Sequence, residues 1–436
     1  MKYSIYNNGI VLSPLYGLLY NAYTNMYVLL RINQYHIYFT HSSEQLKERF
    51  PQMYKQLLNA GCIIDDDIDE VELLHQRIEQ VDSQKDNYIL TVNPTMNCNF
   101  KCWYCYENHL QHSKMSLDTL GRTKKFITKT LSEHSWQKFH LGFFGGEPLL
   151  YYKDVVRPLI QHLIQKCTVY NTPYSIGFTS NGYLLSDEII REMNTFKVSS
   201  LQITLDGGKN LHNKVRYPFI GGDSYTRIVT NIKKLLQTEI SVILRINYTA
   251  DNLSTITTII DDFRILSNSE KKYLRVDFHR VWQDSENKDS VVDLKELENY
   301  MQSFEDNGII VSPPIMDQVW NSCYADKEQQ ALINYNGDIY KCTARDFTKE
   351  KRLGILNEDG TITWDEEKMK RREGVRLSKE VCQHCRIAPI CGGTCTQRGL
   401  DSGSSNQCIR GLNEAGKDKI VLNQFYYNIV KNEVSV

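Results

Sequence analysis

From residue 88 to about residue 307 the chain repeats one pattern six times: a short apolar run, then a longer stretch with helical spacing. The apolar runs are YILTVNPT (88–95), HLGFFGG (140–146), YSIGFTSNG (174–182), SLQITLDG (200–207), SVILRINYT (241–249) and YLRVDFHRVW (273–282). Between them lie segments such as LDTLGRTKKFITKTL and SYTRIVTNIKKLLQ, whose apolar residues recur at helical intervals. Six such units predict a parallel sheet wrapped by helices, because parallel neighbours need a crossover long enough to hold a helix. An open doubly wound sheet and an incomplete barrel both satisfy the pattern. Either fold places its chemistry at the C-terminal ends of the strands. The unusual motifs fall there: CNFKCWYC (98–105), Gly145-Gly146-Glu147-Pro148, Ser180-Asn181-Gly182 and Thr204-Leu205-Asp206-Gly207.

The chain has 436 residues, twelve of them cysteine, and a net charge of −1. That balance gives no electrostatic reason to expect nucleic acid or a membrane as partner. The first residues lack the pattern of a secretory signal, and no run of about 18 apolar residues offers a membrane span. A cytoplasmic location is expected, where thiols stay reduced and cysteines serve metals more often than disulfides. Ten of the twelve cysteines fall within 98–105 and 323–408. Cys62 and Cys167 stand apart and read as small packed hydrophobes.

Cys98, Cys102 and Cys105 on one loop are one ligand short of a closed four-thiolate site. By themselves they suit zinc or an iron–sulfur cluster. The other strand-end motifs add glycines that let a ligand approach the backbone, an acid for an amine, and Arg216 for a carboxylate. Together they suit a ligand with an amino acid head and a nucleoside tail.

With CxxxCxYC followed in order by GGEP, SNG and TLDG, residues 88–282 resemble the radical S-adenosylmethionine (radical SAM) enzymes. The resemblance implies a partial (β/α)6 TIM-type barrel. It implies that Cys98, Cys102 and Cys105 hold three irons of a [4Fe–4S] cluster, with the fourth iron left for SAM. Reductive cleavage of SAM then yields a 5′-deoxyadenosyl radical that abstracts a substrate hydrogen. By the same resemblance Tyr104 packs by the cluster and adenine, and Gly145, Gly146 and Glu147 hold the SAM amino group. Thr204 and Arg216 are candidates for its carboxylate, and Asn181 and Asp206 for nearby polar contacts. Asp206 also reads as a turn former and Thr204 as a plain strand residue. Arg245 and Asn247 lie on the fifth strand, facing inward or outward.

After about residue 310 the alternation stops and seven cysteines follow: Cys323, Cys342, Cys382, Cys385, Cys391, Cys395 and Cys408. A pair of zinc knuckles is one reading of such spacing. The spacing also resembles the SPASM extension of a subset of radical SAM enzymes, which implies two auxiliary iron–sulfur clusters. Cys382, Cys385, Cys391 and Cys408 would hold one, and Cys323, Cys342 and Cys395 the other. Seven cysteines leave that second cluster one thiolate short, for a non-cysteine ligand or an open iron.

Three parts are expected: an α+β module over 1–86, the barrel over 87–307 and the cysteine-rich region over 308–436. In the first, MYVLLRI and YHIYFT read as strands, and SSEQLKERFPQMYKQLLNAGCIID as capped helical turns broken before Pro51 and ending at Gly61. It weakly resembles the winged-helix-like element with which peptide maturases hold a leader sequence; a buttress for the barrel is the plainer reading. The expected function is therefore maturation of a ribosomally made peptide, by a thioether or carbon-based cross-link. The expected partners are a leader-bearing precursor peptide and a reductant such as flavodoxin or ferredoxin. His279 and Asp277, near the end of the sixth strand, are candidate bases, and a structural histidine reads equally well. The alternatives are oxidation of a Cys or Ser in the manner of anaerobic sulfatase maturases, and a non-catalytic electron carrier. Sulfatase maturases carry an Asp where this chain has Thr343, directly after Cys342.

Overall fold

The computed structural model describes residues 1–281, 283, 294–403 and 406–431. They form two compact units: Lys85–Ser312 with Gln329–Asp365, and Met1–Gln84 with Pro313–Glu328 and Glu366–Val436. These units do not follow the three-part division read from the sequence. Residues 308–312 and 329–365 of the cysteine-rich region join the barrel, and 313–328 and 366–436 join the N-terminal module.

The first unit is built on six parallel strands: β1 (Asn87–Val92), β2 (Lys138–Phe143), β3 (Tyr174–Ser180), β4 (Ser200–Leu205), β5 (Ser241–Tyr248) and β6 (Leu274–Arg280). Each pairs with the next in chain order. The six barrel strands expected from sequence are all present; Trp282, the last residue of the sixth run, lies outside the described residues. Ile310–Val311 extends the sheet in parallel beyond β6, and Gln330–Ile333 does so beyond β1. Asp338–Tyr340, Gly354–Leu356 and Ile362–Trp364 continue it antiparallel. The sheet ends at Ile310–Val311 on one side and Ile362–Trp364 on the other, so the barrel is open.

The strands alternate sharply. Leu90, Leu141, Ile176, Ile203, Leu244 and Val276 face the helices and are fully buried in one core with Ile127, Leu163, Ile232 and Phe304. The opposite face carries Thr91, His140, Ser175, Gln202, Thr204, Arg245 and Asn247, paired across the sheet by register. A parallel strand buried on both faces is ordinarily apolar on both. The polar inner face marks the barrel interior as a place for ligands.

In the second unit Asn7–Val11, Tyr16–Asn21 and Met26–Arg31 form an antiparallel sheet. Helices follow at Ile32–Thr40, Ser43–Arg49 and Pro51–Asn59. Ser42 caps the second of these with a capping box, Pro51 opens the third, and Gly61 has φ +73°. YHIYFT, expected as a strand, is part of the helix Ile32–Thr40. Its aromatic residues suit a strand by propensity, but Tyr35 and Tyr38 lie on one helical face and are buried. Gly17 makes room for that face: a Cβ there would lie 2.2 Å from the Tyr35 ring.

Tyr6 and Tyr20 of this module share one core with Val319, Leu377, Ile387 and Val421 of the C-terminal segments. The Asn8 side chain accepts from Arg386 Nη1 at 2.8 Å and donates to the Arg386 carbonyl at 3.0 Å. Cys62 and Cys167 are buried among apolar residues, as expected. Among the described residues no helix is long and apolar enough to cross a membrane.

Candidate functional site

The cysteine loop leaves β1 and turns back as a short ribbon. Phe100–Cys102 pairs antiparallel with Arg216–Pro218, placing Arg216 opposite Cys102. Arg216 Nη1 lies 3.7 Å from Cys102 Sγ and donates to Tyr104 OH at 3.0 Å. Tyr104 OH donates to the Asp206 carboxylate at 2.7–2.8 Å, and Asp206 Oδ2 lies 3.8 Å from Arg216. Burial pushes Asp206 up, and Arg216 beside it works the other way. Below them His212 Nδ1 accepts from the Asp206 amide at 3.2 Å. Burial pulls His212 down to about 3, so the ring is neutral at neutral pH.

The Gly145–Gly146 turn lies against the same loop from the other side. The Gly146 amide donates to Thr95 O at 3.2 Å and the Glu147 amide to Asn97 O at 2.9 Å. A Cβ on Gly146 would sit 2.2 Å from Asn97 O, and one on Gly145 2.4 Å from Thr95 O. Both glycines are thus required by close backbone approach to the segment that leads into Cys98.

Cys98, Cys102 and Cys105 line one cavity of 210 Å³ at the C-terminal mouth of the barrel. Tyr104, Gly145, Gly146, Asn181, Thr204 and Arg216 line it too. Glu147 and Asp206 do not. Glu147 is wholly buried: Oε1 accepts from the Leu149 amide and Ser180 Oγ, Oε2 from the Asn181 amide. Its oxygens serve this chain's own donors and tie β2 to the end of β3. Asn181 is held in turn by Asn99, Nδ2 to Oδ1 at 2.8 Å.

Asp277 and His279 share a sheet face with Arg245 and Asn247 by register, but neither lines the cavity. Asp277 accepts from Ser312 Oγ. Burial, with Arg245 adding to it, pulls His279 down to about 4, leaving a neutral imidazole at pH 7. Residues that sequence reasoning missed include Gln202, Glu107 and His109, all on the cavity wall. Gln202 alternates with Thr204, a signal that was present. Burial pushes Glu107 up to about 8, and His109 Nε2 lies 3.4 Å from Cys105 Sγ.

In the second unit, Cys382, Cys385 and Cys391 pack against the core shared with the N-terminal sheet. Burial pushes the Cys382 thiol up to about 11, with Cys391, Cys408 and Cys385 close enough to add to the shift. Cys323 and Cys395 belong to this unit as well, joined by the Thr396 amide donating to Asp326 Oδ1 at 3.2 Å. Cys342 belongs to the barrel unit, after Asp338–Tyr340. All twelve cysteines are free thiols. Among the described residues no three His, Cys, Asp or Glu side chains converge closely enough for a single metal ion. A cluster asks for less convergence, since each thiolate takes its own iron.

An open parallel barrel with a three-cysteine loop and a polar strand-end cavity is the architecture of a radical SAM domain. The family model of the Radical SAM superfamily matches residues 92–262, so the barrel unit carries a radical SAM domain. It is 28% identical over 145 residues to a cysteine-type anaerobic sulfatase-maturating enzyme of Clostridium novyi, covering 32% of this chain and 37% of that one. It is 21% identical over 370 residues to the radical SAM cyclopropyl synthase TigE of Paramaledivibacter caminithermalis, covering 78% and 75% of the two chains. The fold resembles that of Streptococcus suis SuiB bound to its precursor peptide SuiA. The TM-score is 0.53 at 15% identity, over 94% of this chain and 100% of that one. The chain thus spans little more than a third of the first relative's length (37%) and three quarters of the second's (75%).

Proposed function

We propose that the protein is a radical SAM maturase of a ribosomally made peptide, installing a thioether or carbon-based cross-link. The observation that carries the reading is the N-terminal module. Its outer strand, Met26–Arg31, pairs on one side only among the described residues. Met26 and Leu29 are 48% and 55% exposed there. Such an edge accepts an extended peptide as an added strand. SuiB, a structural relative that spans nearly the whole chain, was captured with its precursor peptide SuiA.

The cavity fits the cofactors that the family implies. Its wall supplies three thiols, a buried guanidinium with an unpartnered Nε at Arg216, and two glycines that leave the backbone bare. When bound, a [4Fe–4S] cluster and SAM supply the reducing electron and the hydrogen-atom abstraction. Cys98, Cys102 and Cys105 hold the cluster. Arg216 and Thr204 hold the SAM carboxylate, and the Gly145–Gly146 backbone its amino group. Tyr104 is fixed between Asp206 and Arg216, so its ring forms a rigid wall by the cluster. Asn181 turns the end of β3 toward the ligand. His279 and Asp277 lie outside the cavity wall, so neither is assigned the role of base. Cys382, Cys385, Cys391 and Cys408 hold one auxiliary cluster; on sequence grounds alone the remaining three cysteines serve a second. A flavodoxin or ferredoxin supplies electrons.

Two experiments test this. Anaerobic reconstitution should yield about twelve irons per chain, four for each cluster. Reduction with dithionite and SAM should then release 5′-deoxyadenosine; none from fully loaded protein rejects the enzyme reading. Coexpression with a neighbouring short peptide gene should give a product of altered mass whose fragments locate a cross-link.

The partial similarity to a sulfatase-maturating enzyme favours a second reading, oxidation of a Cys in a protein substrate. Formylglycine formation on a sulfatase-derived peptide would establish it. Thr343 after Cys342 stands against it.

A further inference from the structure

Arg245 is a cavity residue to which the reading above gives no role. β5 carries it to the wall, and the register sets it between Thr204 of β4 and Asp277 of β6. Neighbours in a ladder share a face, and opposite charges there ordinarily pair. This pair does not form among the described residues: Asp277 accepts from Ser312 Oγ instead. The hydrogen bonding of Arg245 among the described residues is one contact, Nε to the neutral Asn247 Oδ1 at 2.9 Å. Nη1 and Nη2 are left for the cavity. Asp206, the carboxylate within electrostatic reach, is taken by Tyr104 and Arg216.

The rest of the wall offers little compensation. The cavity wall itself carries one carboxylate, Glu107. Burial pulls the Arg245 guanidinium below its usual value, yet an arginine stays charged in proteins. A desolvated cation without a counter-charge is costly, and an arriving anion relieves that cost. The planar fork of an arginine matches a carboxylate with two parallel hydrogen bonds.

We propose that Arg245 binds a carboxylate of the substrate, an Asp or Glu side chain on the peptide segment held in the cavity. The inference rests on the peptide reading and narrows it: the modified segment carries an acidic residue at or beside the reacting position. A carboxylate could also come from SAM, so the test separates the two sources.

Cluster-loaded, SAM-bound enzyme is titrated with N-acetyl-aspartate and N-acetyl-glutamate methylamides, and with their asparagine and glutamine counterparts. The wild type should bind the acids about tenfold or more tightly than the amides, the usual worth of a charged hydrogen bond. Arg245→Gln should remove that preference, and Arg245→Lys should keep a weaker one, because an ammonium lacks the fork. Equal binding of acids and amides by the wild type overturns the proposal. So does a preference that survives in Arg245→Gln. A fall in SAM affinity in Arg245→Gln with the acid preference intact assigns the guanidinium to SAM and overturns it as well. Iron content checks that each variant folds and loads; if the glutamine variant does not, the lysine variant and the wild-type comparison decide. The peptide reading fails separately, through absent leader binding and an unmodified coexpressed peptide, whatever the acid preference.

Discussion

At the scale of single residues, the site is shaped by what fits as much as by what binds. Gly146→Ala would drive a methyl group into Asn97 O. Backbone meets backbone there, so the segment leading into Cys98 must move. We expect a loss of about 1–3 kcal/mol, as for other overpacked sites, read by chemical denaturation, together with reduced iron loading. Tyr104→Phe removes a donor from the buried Asp206 and an acceptor from Arg216. The expected cost is about 1–3 kcal/mol, with weakened SAM binding by equilibrium titration. His140 gives a pH signature. Burial against Ser175 pulls it down to about 4, below the ordinary 6.5 of the unfolded chain. Its neutral form therefore contributes stability that is complete above pH 6.5 and is lost as pH falls toward 4. The contribution is at most about 3 kcal/mol. Denaturation midpoints of His140→Gln should vary less across that window than those of the wild type. Sequence reading placed Glu147 on a ligand because its motif gives residue type and order. It could not foresee that Ser180, Asn181 and Leu149 would present donors to that carboxylate first.

At the scale of elements, the six barrel strands were legible because each is an apolar run closed by glycine, proline or a polar cluster. The four short strands after residue 329 were not: three or four residues carry too little pattern to separate from loop. YHIYFT misled for a different reason. Its aromatic content matches a strand, while the sheet of Asn7–Arg31 offers glycines for a helix to lie on. That sheet supports a prediction about recognition. Leu29→Asp alters an exposed side chain on the outer strand, so its stability should change by about 0.5 kcal/mol or less. Binding of the coexpressed peptide's leader, read by fluorescence anisotropy, should weaken by about tenfold or more, equivalent to about 1.4 kcal/mol. Unchanged affinity would remove this edge as the leader site.

At the scale of the whole molecule, chain order proved a poor guide to what packs with what. The N-terminal module and the cysteine segments after residue 366 read as separate parts, yet Tyr6 and Tyr20 are wholly buried in the core beneath Ile387 and Val421. Deleting residues 1–84 should therefore do more than remove a peptide-binding element. We expect the truncated chain to lose the iron of the auxiliary site, measured after reconstitution, and to aggregate. Leu29→Asp should do neither. The barrel holds a second long-range tie. Gln330–Ile333 pairs in parallel with Asn87–Val92, and Asn93 Nδ2 donates to Asn334 Oδ1 at 3.3 Å. On the ribosome, where synthesis runs at about 5–20 residues per second, that first strand emerges roughly ten to fifty seconds before its outer neighbour. For that interval its backbone groups on that side stand open to any other nascent chain, which makes folding yield in the cell a matter of who reaches β1 first.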